Sequence, residues 1–98
     1  MIRLQIRSDT QGNALDIVKA AIAAEIKRLE IGLYRTERLI AEREKKYGVS
    51  SDTFQKEFAA EDLEERDQEY IEWAGELKIR GKIAGDLQKL KTIEYVAH

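Results

Sequence analysis

From Ala14 onward, apolar residues return at helical spacing: Leu15, Val18, Ile22, Ile26, Leu29, Leu33, Ile40 and Tyr47, with Thr36 taking the step between Leu33 and Ile40. Intervals of three and four residues place this row on one face of an α-helix. A second row, Ile17, Ala21 and Ala24, widens the apolar face in the first half only. The pattern predicts a helix over residues 13–47, with two sides to bury at its start and a narrow seam at its end. At ~1.5 Å per residue it runs for about 50 Å. A helix of that length has to lie along something equally long.

Before it, residues 2–7 read Ile-Arg-Leu-Gln-Ile-Arg, a strict alternation that predicts a half-buried strand within residues 1–8. A single strand needs a partner. The pattern offers no second strand, so the expected partner is the same strand of another subunit, or another protein. Residues 8–13 are turn-like, and Asp9, Thr10 and Asn13 are candidate caps for the helix that follows.

The long pattern stops at Lys46-Tyr47-Gly48-Val49-Ser50-Ser51-Asp52-Thr53-Phe54. Glycine just past a periodic stretch predicts a left-handed C-cap, since it enters that region without a Cβ penalty. Ser50, Ser51 or Asp52 then caps the next helix. Phe54 and Phe58, four apart, give a short helix over 51–59 an apolar face. A third helix is predicted over 61–92, with one row at Leu63, Tyr70, Trp73, Leu77 and Ala84 and another at Ile79, Ile83, Leu87 and Leu90. Gly75, Gly81 and Gly85 fall inside it, each costing about 1 kcal/mol against alanine. Close approach of another helix or an aromatic side chain is one account of them; a break near Gly81 is the other.

Composition narrows the choice. The 98 residues make one domain, with 37% charged residues, 7% aromatic residues and no proline, as suits long exposed helices. The absence of cysteine removes disulfides, thiolate zinc sites and cysteine nucleophiles. No apolar run reaches the length of a membrane span, and Met1-Ile2-Arg3-Leu4 lacks the apolar core of a signal peptide, so a cytoplasmic protein is expected. The net charge is −2, but residues 1–47 carry +3 and residues 48–98 carry −5. Neither half has the basic excess of a stand-alone nucleic-acid binder.

The third helix sorts its charge, with eight acids and one arginine over residues 61–76, then five bases and one aspartate over residues 78–91. That order complements the helix dipole. In a hairpin it also brings the acids near Arg35, Arg38, Arg43, Lys45 and Lys46. Glu65, Glu69, Glu72 and Glu76 are the candidate row for carboxylate chemistry. Di-metal bundles add Glu-x-x-His pairs from facing helices, and the single histidine here is His98. The row reads as a solvated or partner-binding face, and no metal, cofactor or catalytic residue is expected. Trp73 reads first as the anchor of the third helix on the first, and second as a binding hot spot. Arg3, Gln5 and Arg7, on the polar face of the strand, are side chains able to read base edges. In this the strand looks like that of ribbon-helix-helix repressors, although those follow it with a short helix and here no break appears before Gly48.

Lys45-Lys46-Tyr47-Gly48-Val49-Ser50-Ser51-Asp52-Thr53-Phe54, an acidic spacer and then Glu72-Trp73-Ala74-Gly75-Glu76 resemble a group of small helical prokaryotic proteins. The likeness covers about residues 33–90. These are taken as antitoxin components of two-gene toxin–antitoxin modules, which implies a non-enzymatic protein that neutralises a partner toxin. The resemblance carries over no functional residues; charge complementarity to the basic groove of an RNA-cleaving toxin makes Glu65, Glu69, Glu72, Trp73 and Glu76 the expected partner-binding residues. The expected fold is all-α, a long antiparallel helical hairpin with a short helix at the bend and a short N-terminal strand. Two helices cannot enclose a core, so a homodimer forming a four-helix bundle or coiled coil is expected. DNA binding through Arg3, Gln5 and Arg7, or a purely structural adaptor role, are the alternatives.

Overall fold

A computed structural model describes residues 2–7, 14–57 and 68–97. The protein is mostly helical, in the order β1 (Ile2–Ile6), α1 (Ala14–Tyr47), α2 (Ser51–Glu57), α3 (Gln68–Lys91) and β2 (Ile93–Ala97). It is a rod of 59 × 21 × 19 Å. The length is that of α1, an unbroken helix of 34 residues with Asp16 in its first turn and Lys45 and Lys46 in its last. These charges complement the helix dipole. The predicted inner row faces inward: Leu29, Thr36 and Ile40 are buried, and Leu15, Val18, Ile22, Ile26, Leu33 and Tyr47 are half-buried.

Helix α1 ends as its sequence requires. Gly48 holds φ at 65°. The carbonyl of Glu44 accepts from the N–H groups of both Gly48, at 2.9 Å, and Val49, at 3.3 Å. This closes the last turn around a left-handed glycine. Of the three candidate caps, Ser50 takes the position, its Oγ accepting from the Thr53 N–H at 3.1 Å. The carboxylate of Glu44 reaches over the turn to accept from the Ser51 N–H at 2.7 Å. One glutamate therefore closes α1 with its main chain and opens α2 with its side chain.

Contacts between α1 and α3 run in opposite sequence order. Lys46 meets Glu69, Arg43 meets Glu72 and Glu76, the Cβ position of Gly32 faces Ile83, and Glu30 meets Lys91. Helix α3, with 24 residues against the 34 of α1, reaches back as far as Glu25 and Leu29, which line a cleft with Asp86, Lys89 and Leu90. It is continuous through Gly75, Gly81 and Gly85, so there is no break at Gly81. Among the described residues, no other side chain or neighbouring element lies within 4 Å of a Cβ built on any of these three glycines. The close approach expected at Gly81 and Gly85 is therefore absent among the described residues, and the one helical glycine that meets the opposite helix is Gly32, with Ile83 Cδ1 at 3.6 Å.

The strand expectation needs correcting. β1 pairs in parallel with β2 of the same chain, Ile2 opposite Ile93, Leu4 opposite Tyr95 and Ile6 opposite Ala97. The missed strand, Ile93-Glu94-Tyr95-Val96-Ala97, loses its alternation at Val96-Ala97 and abuts a helical pattern, yet it holds β-branched and aromatic residues suited to a pleated surface. Lys19 lies over the Tyr95 ring, 5.3 Å from its centroid, which sets β2 beside the part of α1 that α3 does not reach. The wide apolar face at the start of α1 is thus half explained. Its inner part is covered, while Ile17, Ala21 and Ala24 stay exposed. No described helix is long and apolar enough to cross a membrane.

Candidate functional site

The best-buried region lies at the bend. Ile40, Phe54, Trp73 and Leu77 form the core, with Tyr47, Val49, Tyr70 and Ala74 packed against it. Phe54 and Trp73 stack with centroids 4.0 Å apart and ring planes within 5°, and Tyr70 meets both Tyr47 and Phe54 edge-on at 5.1 and 5.7 Å. Aromatic pairs in these geometries contribute about 0.5–1.5 kcal/mol each beyond the area they bury. Trp73 is 1% exposed, and its indole N–H donates to Ser51 Oγ at 3.0 Å. It anchors α3 within the chain and is not a surface group. Ser51 read as a possible cap; its place under the indole depends on the turn geometry and has no local signal.

The acidic row is also turned inward. Arg43 reaches Glu69 at 3.4 Å, Glu72 at 2.7 Å and Glu76 at 3.3 Å, and Lys46 Nζ lies 2.6 Å from Glu69. The hydroxyl of Tyr47 donates to Glu69 as well. These bonds, from Lys46 first and Tyr47 second, hold the Glu69 carboxyl below its ordinary range. Burial works against the charge on Arg43, but Glu76, Glu72 and Glu69 outweigh it and keep its pKa raised. Arg43 Nε and Glu76 Oε2 are buried without a hydrogen-bond partner. Side-chain exposure separates the row: 13% for Glu76, 28% for Glu69 and 47% for Glu72. Glu72 alone of these three remains half available, and Glu65 lies outside the described residues. Among the described residues, no three carboxylates are placed to hold a metal ion.

At the other end, Arg3, Gln5 and Arg7 are exposed. Arg3 stands opposite Glu94 in the sheet register, and Gln5 opposite Val96. A carboxylate beside Arg3 offsets the charge that a phosphate or base edge would meet.

Part of the exposed surface is apolar, and Ile31, Tyr34 and Ile71 on it are not singled out by the sequence. Ile17, Ile31 and Tyr34 of α1 are 60%, 61% and 67% exposed, and Ile71 and Ile79 of α3 are 42% and 51% exposed. Ile71, Gly75 and Ile79 follow one another at four-residue steps, which puts them in one row with open space over the glycine. The signal is present as apolar positions standing off the main rows, and Ile79 belongs to the second row of the third helix, whose other members Ile83, Leu87 and Leu90 are buried or half-buried. No known family model matches the chain, and no curated protein or solved structure is similar to it at a significant level.

Proposed function

We propose that this protein is a non-enzymatic interaction module, an antiparallel helical hairpin that works as a homodimer and binds a protein partner. Its specific form is the antitoxin-like one, in which the partner is a toxin held inactive by the complex. The observation that carries this reading is the apolar row Ile71, Gly75 and Ile79 on the exposed side of α3. An interior glycine costs about 1 kcal/mol in a helix, and among the described residues no neighbour fills the space beside it. Two isoleucines flanking such a notch make a seat for one apolar side chain of a partner, with the half-exposed Glu72 next to Ile71 supplying a charge at its rim. Glu69 and Glu76 serve the fold through Arg43 and Lys46, so the acidic row contributes less to recognition than its charge count implies.

The test is co-expression with the products of the adjacent genes. Relief of a growth arrest by the native chain, lost on Ile79→Asp while the circular dichroism stays helical, is the expected result. Equal relief by Ile79→Asp and Gly75→Leu contradicts the proposed surface. DNA binding through Arg3, Gln5 and Arg7 is the alternative, and an operator complex that weakens on Arg3→Ala and steeply with salt would replace the first reading.

A further inference from the structure

Helix α1 carries a second apolar line that no other part of the described chain covers. Ile17, Ala24 and Ile31 are seven residues apart, close to two helical turns, so they lie in one line with a drift of only about 20° per step. Ala20 and Ala21 stand beside the same line, also exposed. The buried residues Leu29, Thr36 and Ile40 occupy a different side of the helix. Read from Ala24 outward, the line is the same in both directions, with an isoleucine seven residues before and another seven residues after. An antiparallel two-fold pair makes direct use of this property, because it sets the isoleucine at one end of the line against the isoleucine at the other end of its copy.

We propose that a second copy of this chain docks here, α1 against α1 in antiparallel orientation, with the two-fold axis at Ala24. This rests on the dimeric reading above and adds its geometry. Ile17 of one copy then packs beside Ile31 of the other, and the single methyl of Ala24 at the axis lets the helices approach closely. Charge selects the same orientation. In a parallel pair Arg28 and Arg35 each lie beside their own copies, and these like charges repel at short range. In the antiparallel pair Arg28 lies across from Ala20 and Lys27 across from Ala21, where their aliphatic stems cover the alanine surface and their charged ends reach water.

The chain has no cysteine, so engineered thiols report cleanly. Ile17→Cys and Ile31→Cys are prepared separately, mixed, and treated with a short thiol-specific cross-linker, with Ile79→Cys as the collision background. The mixed 17–31 band should dominate the 17–17 and 31–31 bands, and Ala24→Cys should link to itself. Dominant 17–17 and 31–31 bands would instead show a parallel pair and overturn the proposal. A dimeric mass with all bands at the Ile79→Cys background overturns this geometry and leaves the dimer standing. A monomeric mass overturns both.

Discussion

The indole N–H of Trp73 and the hydroxyl of Ser51 meet at 3.0 Å in the most enclosed part of the molecule, joining α3 to the first residue of α2. Ser51 is 4% exposed and Trp73 1% exposed, so no water replaces either partner. Ser51→Ala leaves the indole donor unsatisfied, and the expected loss is about 1–3 kcal/mol. Urea unfolding followed by the fluorescence of the single tryptophan measures it. A loss well under 1 kcal/mol would show that the bond contributes little.

Four of the five described glycines, those with open space beside them, divide sharply. Gly48 has open space around it but a left-handed backbone, so Gly48→Ala should lose about 1–2 kcal/mol through conformation alone. Gly75, Gly81 and Gly85 have open space and an ordinary helical backbone, so alanine at each should gain up to about 1 kcal/mol. Thermal melts of the four single variants distinguish these signs. A stabilising Gly48→Ala contradicts the account of the bend.

Acid should loosen the bend through Glu69. Its folded pKa lies below the ordinary value of 4.5, so the unfolded chain binds the proton first on acidification. The stabilisation is therefore present above about pH 4.5 and is lost as the pH falls through the lowered value. Lys46→Met removes the first cause of the shift. The variant should be less stable than the native chain at pH 7, with the gap closing as the pH falls through the lowered value of Glu69. A gap that persists unchanged in acid would mean that the lysine acts through packing of its stem.

The pairing of β1 with β2 makes a prediction of its own. Val96→Pro removes one amide donor and the ring disfavours the ladder. Amide exchange in residues 2–6 should then speed up markedly, while α1 beyond Glu30 keeps its protection. Unchanged exchange in β1 would mean that its partner is not β2.

How much of this was legible depends on the range of the interaction. The inner row from Leu15 to Tyr47, the left-handed Gly48 and the Ser50 cap are local, set by spacing and backbone chemistry within a few residues. Trp73 could be read as core from its spacing alone. The Ser51 acceptor and the convergence of Glu69, Glu72 and Glu76 on Arg43 arise only when helices far apart in sequence meet, and the pattern showed merely that opposite charges were available. β2 escaped because Val96 and Ala97 break the alternation that Ile93 and Tyr95 begin, and because it abuts the helical pattern. The open sides of Gly75, Gly81 and Gly85 run against the expectation of close packing, since a sequence shows which residues are small and not what stands beside them.

The central claim is that the exposed apolar faces belong to interfaces, the first of them between two copies of this chain. The most direct measurement is the solution mass at micromolar concentration by sedimentation equilibrium or light scattering. The account predicts twice the 11.3 kDa of the single chain, falling to the monomer value in the double variant Ile17→Asp, Ile31→Asp with helicity retained. A native chain that sediments as an 11.3 kDa monomer contradicts it.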